Sequence, residues 1–226
     1  MQNDRVTFAS DTSGRTARDW ARALLFLLAG LAVAHFGVTL YLLADLGSDP
    51  FTTFVQGLAR TFGVSVGTMH VILQVVLIGV MFFTTKGYIK IGTVVCALFG
   101  GPIIDGFTLL LRGAVNGGSP LPLRCASMAV GCTILALGMT FVISSDAGTG
   151  ANDLVALVLS DSLRRPFRWV RLGCDAVFLG LGFMLGGQVG AGSVAAVLLT
   201  GPLAQFFLPF SRRVAAKFLP PAPPSA

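Results

Sequence analysis

The two halves of this chain repeat one pattern of glycines and loops, and that repetition constrains the fold more than any other feature. At an offset of 101 residues Gly30 falls on Gly131, Gly37 on Gly138, Thr39 on Thr140, Asp45 on Asp146, Gly47 on Gly148 and Gly79 on Gly180. The offset then becomes 100, where Gly87 falls on Gly187, Gly92 on Gly192, and Gly101-Pro102 on Gly201-Pro202. A chain with 28 glycines yields some coincidences. A fixed order at a near-constant offset, ending in a matched Gly-Pro pair, does not arise that way. Internal repetition is read first because it fixes the architecture. Its focal points are two loops, Asp45-Leu46-Gly47-Ser48-Asp49-Pro50-Phe51 and Asp146-Ala147-Gly148-Thr149-Gly150-Ala151-Asn152-Asp153.

The repeated unit is written for lipid. Of the 226 residues 54% are hydrophobic and 12% charged, against roughly 25% charged in a soluble domain. An integral membrane protein is expected, with the bilayer as its partner. The net charge of +6 then reads as basic loops facing the cytoplasm, not as a nucleic-acid surface. Cys96, Cys125, Cys132 and Cys174 lie in or beside apolar runs without a C-x-x-C spacing. They read as small packing residues, not as a disulfide framework or a zinc site. No metal or cofactor is expected.

Each half carries three long apolar runs, at 23–44, 66–84 and 91–111 and then at 125–145, 168–186 and 190–210. The first resembles a secretory leader with Ala32-Val33-Ala34 as a cleavage site. It is long enough to span and has a full repeat partner, so it should be retained. After each loop comes a short helical stretch, 51–62 and 152–163, apolar in the first at 51, 54, 55, 58 and 62. Such a helix reaches roughly 18 Å, too short for a hydrocarbon core of about 30 Å. These are expected to be re-entrant or interfacial.

The organisation is therefore a cytoplasmic, disordered tail at 1–21, repeat 1 at 22–112, a Gly-, Ser- and Pro-rich linker at 113–124, repeat 2 at 125–211 and a solvated tail at 212–226. Arg5, Arg15, Arg18, Arg22, Lys86, Lys90, Arg164, Arg165, Arg168, Arg171, Arg212, Arg213 and Lys217 fall on one side of six spans; Arg60, Arg112 and Arg124 fall on the other. Basic residues stay in the cytoplasm, so both termini are expected there, with the chain in a bacterial inner membrane. Three spans per repeat is an odd number, so the halves must be inverted. The expected fold class is all-α, with six transmembrane helices in two inverted three-helix repeats, each with its short helix.

Three sets of residues are candidates for a site. In the loops, Gly47 and Gly148 free the backbone to turn, while Ser48, Asp49-Pro50, Thr149 and Asn152-Asp153 supply caps for the short helices. Turn and cap alone would explain them. Duplication in inverted halves favours two positive helix ends facing one midplane site. The matched Gly-Pro breaks in the third and sixth spans point the same way, against simple close packing through small residues. Inside the spans, His70 and Gln74 share a helical face, as do their repeat partners Arg171 and Asp175, while Asp105 pairs with Gln205. Intramembrane ionisable groups are costly and face a bundle interior or water. His35, whose repeat partner is Ala136, reads as a lone packing histidine.

At these positions the chain resembles the YczE/YitT-type bacterial membrane proteins over nearly all of residues 24–211. The resemblance rests on Leu46-Gly47-Ser48-Asp49-Pro50, on Ala147-Gly148-Thr149-Gly150-Ala151-Asn152-Asp153 and on the two Gly-Pro spans. The family pattern is loosely G-x-x-P-x-D at both loops; Thr52 replaces the acid of the first and Ala151 the proline of the second. It implies a bacterial inner-membrane protein and supplies no substrate.

The expected function is a small secondary transporter or permease for a small polar or anionic solute. Gly47, Ser48, Asp49, Pro50, Gly148, Thr149, Asn152 and Asp153 would bind it, and His70, Gln74, Asp105, Arg171, Asp175 and Gln205 would line its path. Asp153 or Asp175 would carry a coupling proton. A homodimer is compatible with so thin a bundle. The rival is a non-transporting membrane adaptor that docks or stabilises a partner enzyme through its basic Arg164-Arg165-Pro166 loop and tails. No H-E-x-x-H, G-x-S-x-G or Walker A pattern occurs, so no enzymatic activity is expected.

Overall fold

The computed structural model describes residues 16–84 and 88–219. Eight helices follow one another: α1 (Ala17–Ala44), α2 (Pro50–Phe62), α3 (Val66–Thr84), α4 (Ile91–Leu111), α5 (Leu121–Ser144), α6 (Ala151–Leu163), α7 (Phe167–Met184) and α8 (Ala191–Phe218). The repeat offset is kept at the starts of α2 and α6, α3 and α7, and α4 and α8. The tail at 1–15, Lys86, Gly87 and the tail at 220–226 lie outside the described residues.

Among the described residues five helices are long and apolar enough to cross a membrane, namely α1, α3, α4, α5 and α8. The fifth expected span corresponds to α7, which has 18 residues but carries Arg168, Arg171 and Asp175. The short helices α2 and α6 have 13 residues each, about 20 Å of rise.

Three expected boundaries are corrected. Residues 17–21 are helical rather than tail, because Thr16 and Asp19 form a reciprocal capping box. α5 begins at Leu121, inside the expected linker, since Pro122 sits in a first turn where its missing N–H costs nothing. α8 continues to Phe218 through residues read as tail. Ser211 and Ala215 are buried there, and the Ser211 hydroxyl lies 2.6 Å from that of Thr140 on α5.

The largest interface joins α1 to α5, the two repeat partners. Gly30 meets Phe141, Gly138 meets Ala34 and Gly37 meets Leu135, so the helices run antiparallel. A Cβ on Gly37 would stand 2.5 Å from the Leu135 nitrogen. In lipid such backbone approach supplies the packing that water-driven burial supplies elsewhere. α4 packs on α1, and α8 packs on α5. Ala34, Val38, Tyr41, Ile104, Cys132, Leu135 and Ala196 form the core where these four helices meet.

The two loops tie the halves together in the same way. The Gly192 N–H donates to the Leu46 carbonyl at 2.8 Å, and the Gly92 N–H donates to the Ala147 carbonyl at 2.9 Å. Gly47 (φ +106°) lies against the start of α8 and Gly148 (φ +149°) against the start of α4, both in backbone conformations that disfavour a side chain. Asp45, paired with Arg124 at 3.6 Å, and Asp146, paired with Lys90 at 3.0 Å, close the turns with φ of 55° and 52°.

Packing departs from the repeat at the last pair. Gly67 of α3 and Gly101 of α4 press backbone to backbone, whereas Gly201 of α8 has nothing within 4 Å. α7 packs instead on α2, where Phe178 stacks with Phe54 and meets Phe51 edge-on.

Candidate functional site

The N-termini of α2 and α6 differ in how their first N–H groups are met. At α2 the Asp49 Oδ1 accepts the Thr52 N–H at 3.1 Å. Its Oδ2 is buried without a hydrogen-bond partner. At α6 the cap residue is Gly150, and no local side chain serves. Gln74 of α3 reaches across instead, and its Oε1 accepts the Ala151 N–H at 2.8 Å. Asp175, the repeat partner of Gln74, has no matching role at α2, because Pro50 has no N–H to offer.

Asp175 turns to Arg171, one helical turn away, whose Nε lies 3.0 Å from Oδ1. The Arg171 Nη1 also pairs with Asp153 Oδ1 in the first turn of α6. Asp153 is held from its own helix end, by Asn152 Nδ2 at 2.9 Å and Thr149 Oγ1 at 3.2 Å. One guanidinium thus joins two carboxylates, from the first turn of α6 and from α7.

His70 extends the centre towards α1. Gln74 Nε2 lies 3.3 Å from His70 Nε2. The His70 ring meets Phe51 of α2 at 5.7 Å and His35 of α1 at 5.3 Å, both edge-on. His35 is therefore not a lone packing residue. Both Nε2 atoms stand 3.0 Å from the place a Cβ would take on Gly100. Sequence reasoning missed this pairing because Ala136 occupies the repeat position; nothing short of the three-dimensional contact of the two rings reveals it.

Asp49 and Pro50 begin α2, whose Phe51 ring meets His70. The structure brings His70, Gln74, Thr149, Asn152, Asp153, Arg171 and Asp175 together at the start of α6. It does not bring in the rest. Asp105 caps the start of α3, accepting from the Gly67 N–H at 2.9 Å and from the Ser65 hydroxyl at 2.5 Å. Gln205 is exposed on α8. Ser48 bonds to Thr53 within its own turn at 3.1 Å. Gly47 and Gly148 serve packing, as does Gly101, while Gly201-Pro202 is exposed. Two further polar features were not foreseen. Gln56 and Gln188 exchange hydrogen bonds of 3.0 and 2.8 Å between α2 and the α7–α8 loop. Thr93 and Ser193, repeat partners beside Gly148 and Gly47, hold buried hydroxyls without partners.

A cleft of about 350 Å³ lies elsewhere, between α1, α4 and α5, lined by Ala32, Val33, Phe36, Phe107, Ile134 and Leu137. It is wholly apolar and suits a lipid chain better than a polar solute.

Residues 21–209 match a family of unknown function, DUF6198. The chain belongs to that family. Among relatives of this DUF6198 chain, the uncharacterized membrane protein YczE of Bacillus subtilis is 28% identical over 82% of the chain and 85% of its own length. The uncharacterized protein YyaS of the same organism is 26% identical over 81% and 91%. An uncharacterized protein of Haemophilus influenzae is 25% identical over 83% and 84%. The likeness to YczE-type membrane proteins read in the two loops is thereby borne out. No solved structure gives a significant match.

Proposed function

We propose that this DUF6198 protein is a small secondary transporter or permease of the bacterial inner membrane, with its site between two inverted three-span halves. The observation that carries the reading is the ion cluster of Arg171, Asp153 and Asp175, which joins the first turn of the short helix α6 to α7. Charges inside a membrane are retained at a cost and mark transport paths, and short helices ending near a midplane are the usual builders of such sites. Antiparallel packing of α1 on α5, which are repeat partners, supports the inversion. α7 serves as the fifth of six spans, with Arg171 and Asp175 neutralising each other along one face. The Lys and Arg distribution puts both termini in the cytoplasm.

Helix N-termini alone would favour an anion. Two carboxylates paired with one guanidinium offset that preference, so the reading narrows to a neutral polar or cationic solute. The test is a thermal-shift screen of the purified, detergent-solubilised protein against small metabolites. A ligand at a hundred times its Kd stabilises by about 2.7 kcal/mol. The expected result is a hit that drives uptake into proteoliposomes and is lost in Asp153→Asn, a variant that leaves the Arg171–Asp175 pair intact. Undiminished binding in Asp153→Asn would overturn the site. No ligand, with a soluble protein co-purifying, would replace the transporter with a membrane adaptor.

A further inference from the structure

His35 and His70 are the only two histidines of the chain, and the fold sets them edge to face in its interior. They are 8% and 6% exposed. Their hydrogen bonds fix where the protons sit. The His35 Nδ1 lies 2.8 Å from the Leu31 carbonyl, which can only accept, so Nδ1 carries the hydrogen and Nε2 an open lone pair. Gln74 Oε1 is committed to the Ala151 N–H, so its Nε2 must donate to His70 Nε2. Both rings thus present an acceptor nitrogen, and both acceptors converge above Gly100, where a Cβ would touch each at 3.0 Å.

We propose that the His35–His70 pair is a proton-binding site, one proton being shared between the two Nε2 atoms, and that its occupation releases the N-terminus of α6. A proton arriving from water at either Nε2 makes that nitrogen a donor to the other ring. The pair gains one positive charge, and no other covalent bond is made or broken. His70 Nε2 then has no lone pair left for the Gln74 amide. To face the charged pair favourably Gln74 must turn its oxygen towards it, which withdraws Oε1 from the Ala151 N–H and offers a donor to a donor. α3 and α6 have only a small interface, and the Gln74–Ala151 hydrogen bond crosses it. The freed helix end carries Asp153, and with it one arm of the Arg171 cluster.

The surroundings offer the pair no other titratable partner at hydrogen-bond distance among the described residues. α2 presents the Phe51 ring, two residues after Asp49; α4 presents Gly100, with the Cys96 thiol one turn away; α6 presents the Ala151 amide through Gln74. Asp153 and Asp175 are occupied by Arg171. That this proton is the coupling ion rests on the transporter reading; that the pair binds it does not.

The test is 15N imidazole NMR of the full chain in lipid bilayers, prepared without a histidine tag. Two histidines give two rings and no background. Near neutral pH both rings should carry hydrogen on Nδ1. On acidification a single proton should enter and shift both Nε2 resonances together, and exchange of the Ala151 amide should speed about tenfold over the same interval. In His35→Gln the joint step should vanish and the release of Ala151 should move about one pH unit lower. Two independent one-proton titrations, or an Ala151 amide indifferent to the titration, would overturn the proposal. No solute is needed, so a shared proton without any transported ligand would leave this inference standing and remove only the transporter.

Discussion

Arg171 holds two carboxylates from different helices, Asp153 and Asp175, with side chains of the three between 18% and 26% exposed. Removing one partner of a buried ion pair typically costs about 3–5 kcal/mol, because a charge is stranded. Partial exposure lowers that figure here. Arg171→Ala should therefore lower stability by about 2–4 kcal/mol, read from denaturation in mild detergent. Adding Asp153→Asn and Asp175→Asn should restore most of the loss, since no carboxylate then lacks a counter-charge. If the triple variant were as unstable as the single one, Arg171 would be acting through packing of its stem. The glutamine at position 74 acts by a different route. It supplies a cap that α6 lacks, and its repeat partner Asp175 is left for Arg171 because Pro50 has no hydrogen to give.

At the scale of the helix, α1 and α5 are held by glycines that let their backbones touch. Gly37→Leu should force the pair apart, since its Cβ alone would fall 2.5 Å from a backbone nitrogen. Overpacking of this kind costs about 1–3 kcal/mol. Gly79→Leu is the control, with nothing within 4 Å of the added carbon, and should be neutral in the same unfolding measurement. The comparison explains how far the sequence could be read. Gly79 and Gly180 match across the repeat as well as Gly37 and Gly138 do, yet both stand in open space. Repetition reveals which positions correspond and not which of them touch. Helix order and the two short helices were legible because length and period are local properties. The starts of α1 and α5 were missed by a few residues, since a capping box and a first-turn proline each extend a helix into polar sequence. The His35–His70 contact was illegible, as it joins two helices at positions the repeat does not relate. Asp105 and Gln205 were paired by the repeat, but only Asp105 has a neighbouring helix end to cap.

For the molecule as a whole, the six-span reading stands or falls with α7. Single cysteines at Arg164 and Val189, in a chain whose four native cysteines are replaced, flank that helix. They should react with an impermeant thiol reagent from opposite faces of the membrane. Reaction from one face would leave α7 lying along the bundle and reduce the spans to five. The cross-ties between halves carry a further consequence, for synthesis. The Leu46 carbonyl is met by the Gly192 N–H, and the glycine face of α1 by α5. Both partners are made long after the residues they satisfy. At about 5–20 residues per second the wait lasts on the order of ten seconds. Throughout it the first half stands in the bilayer with an open acceptor and an unoccupied groove, so a neighbouring nascent chain can compete for both until the second half arrives.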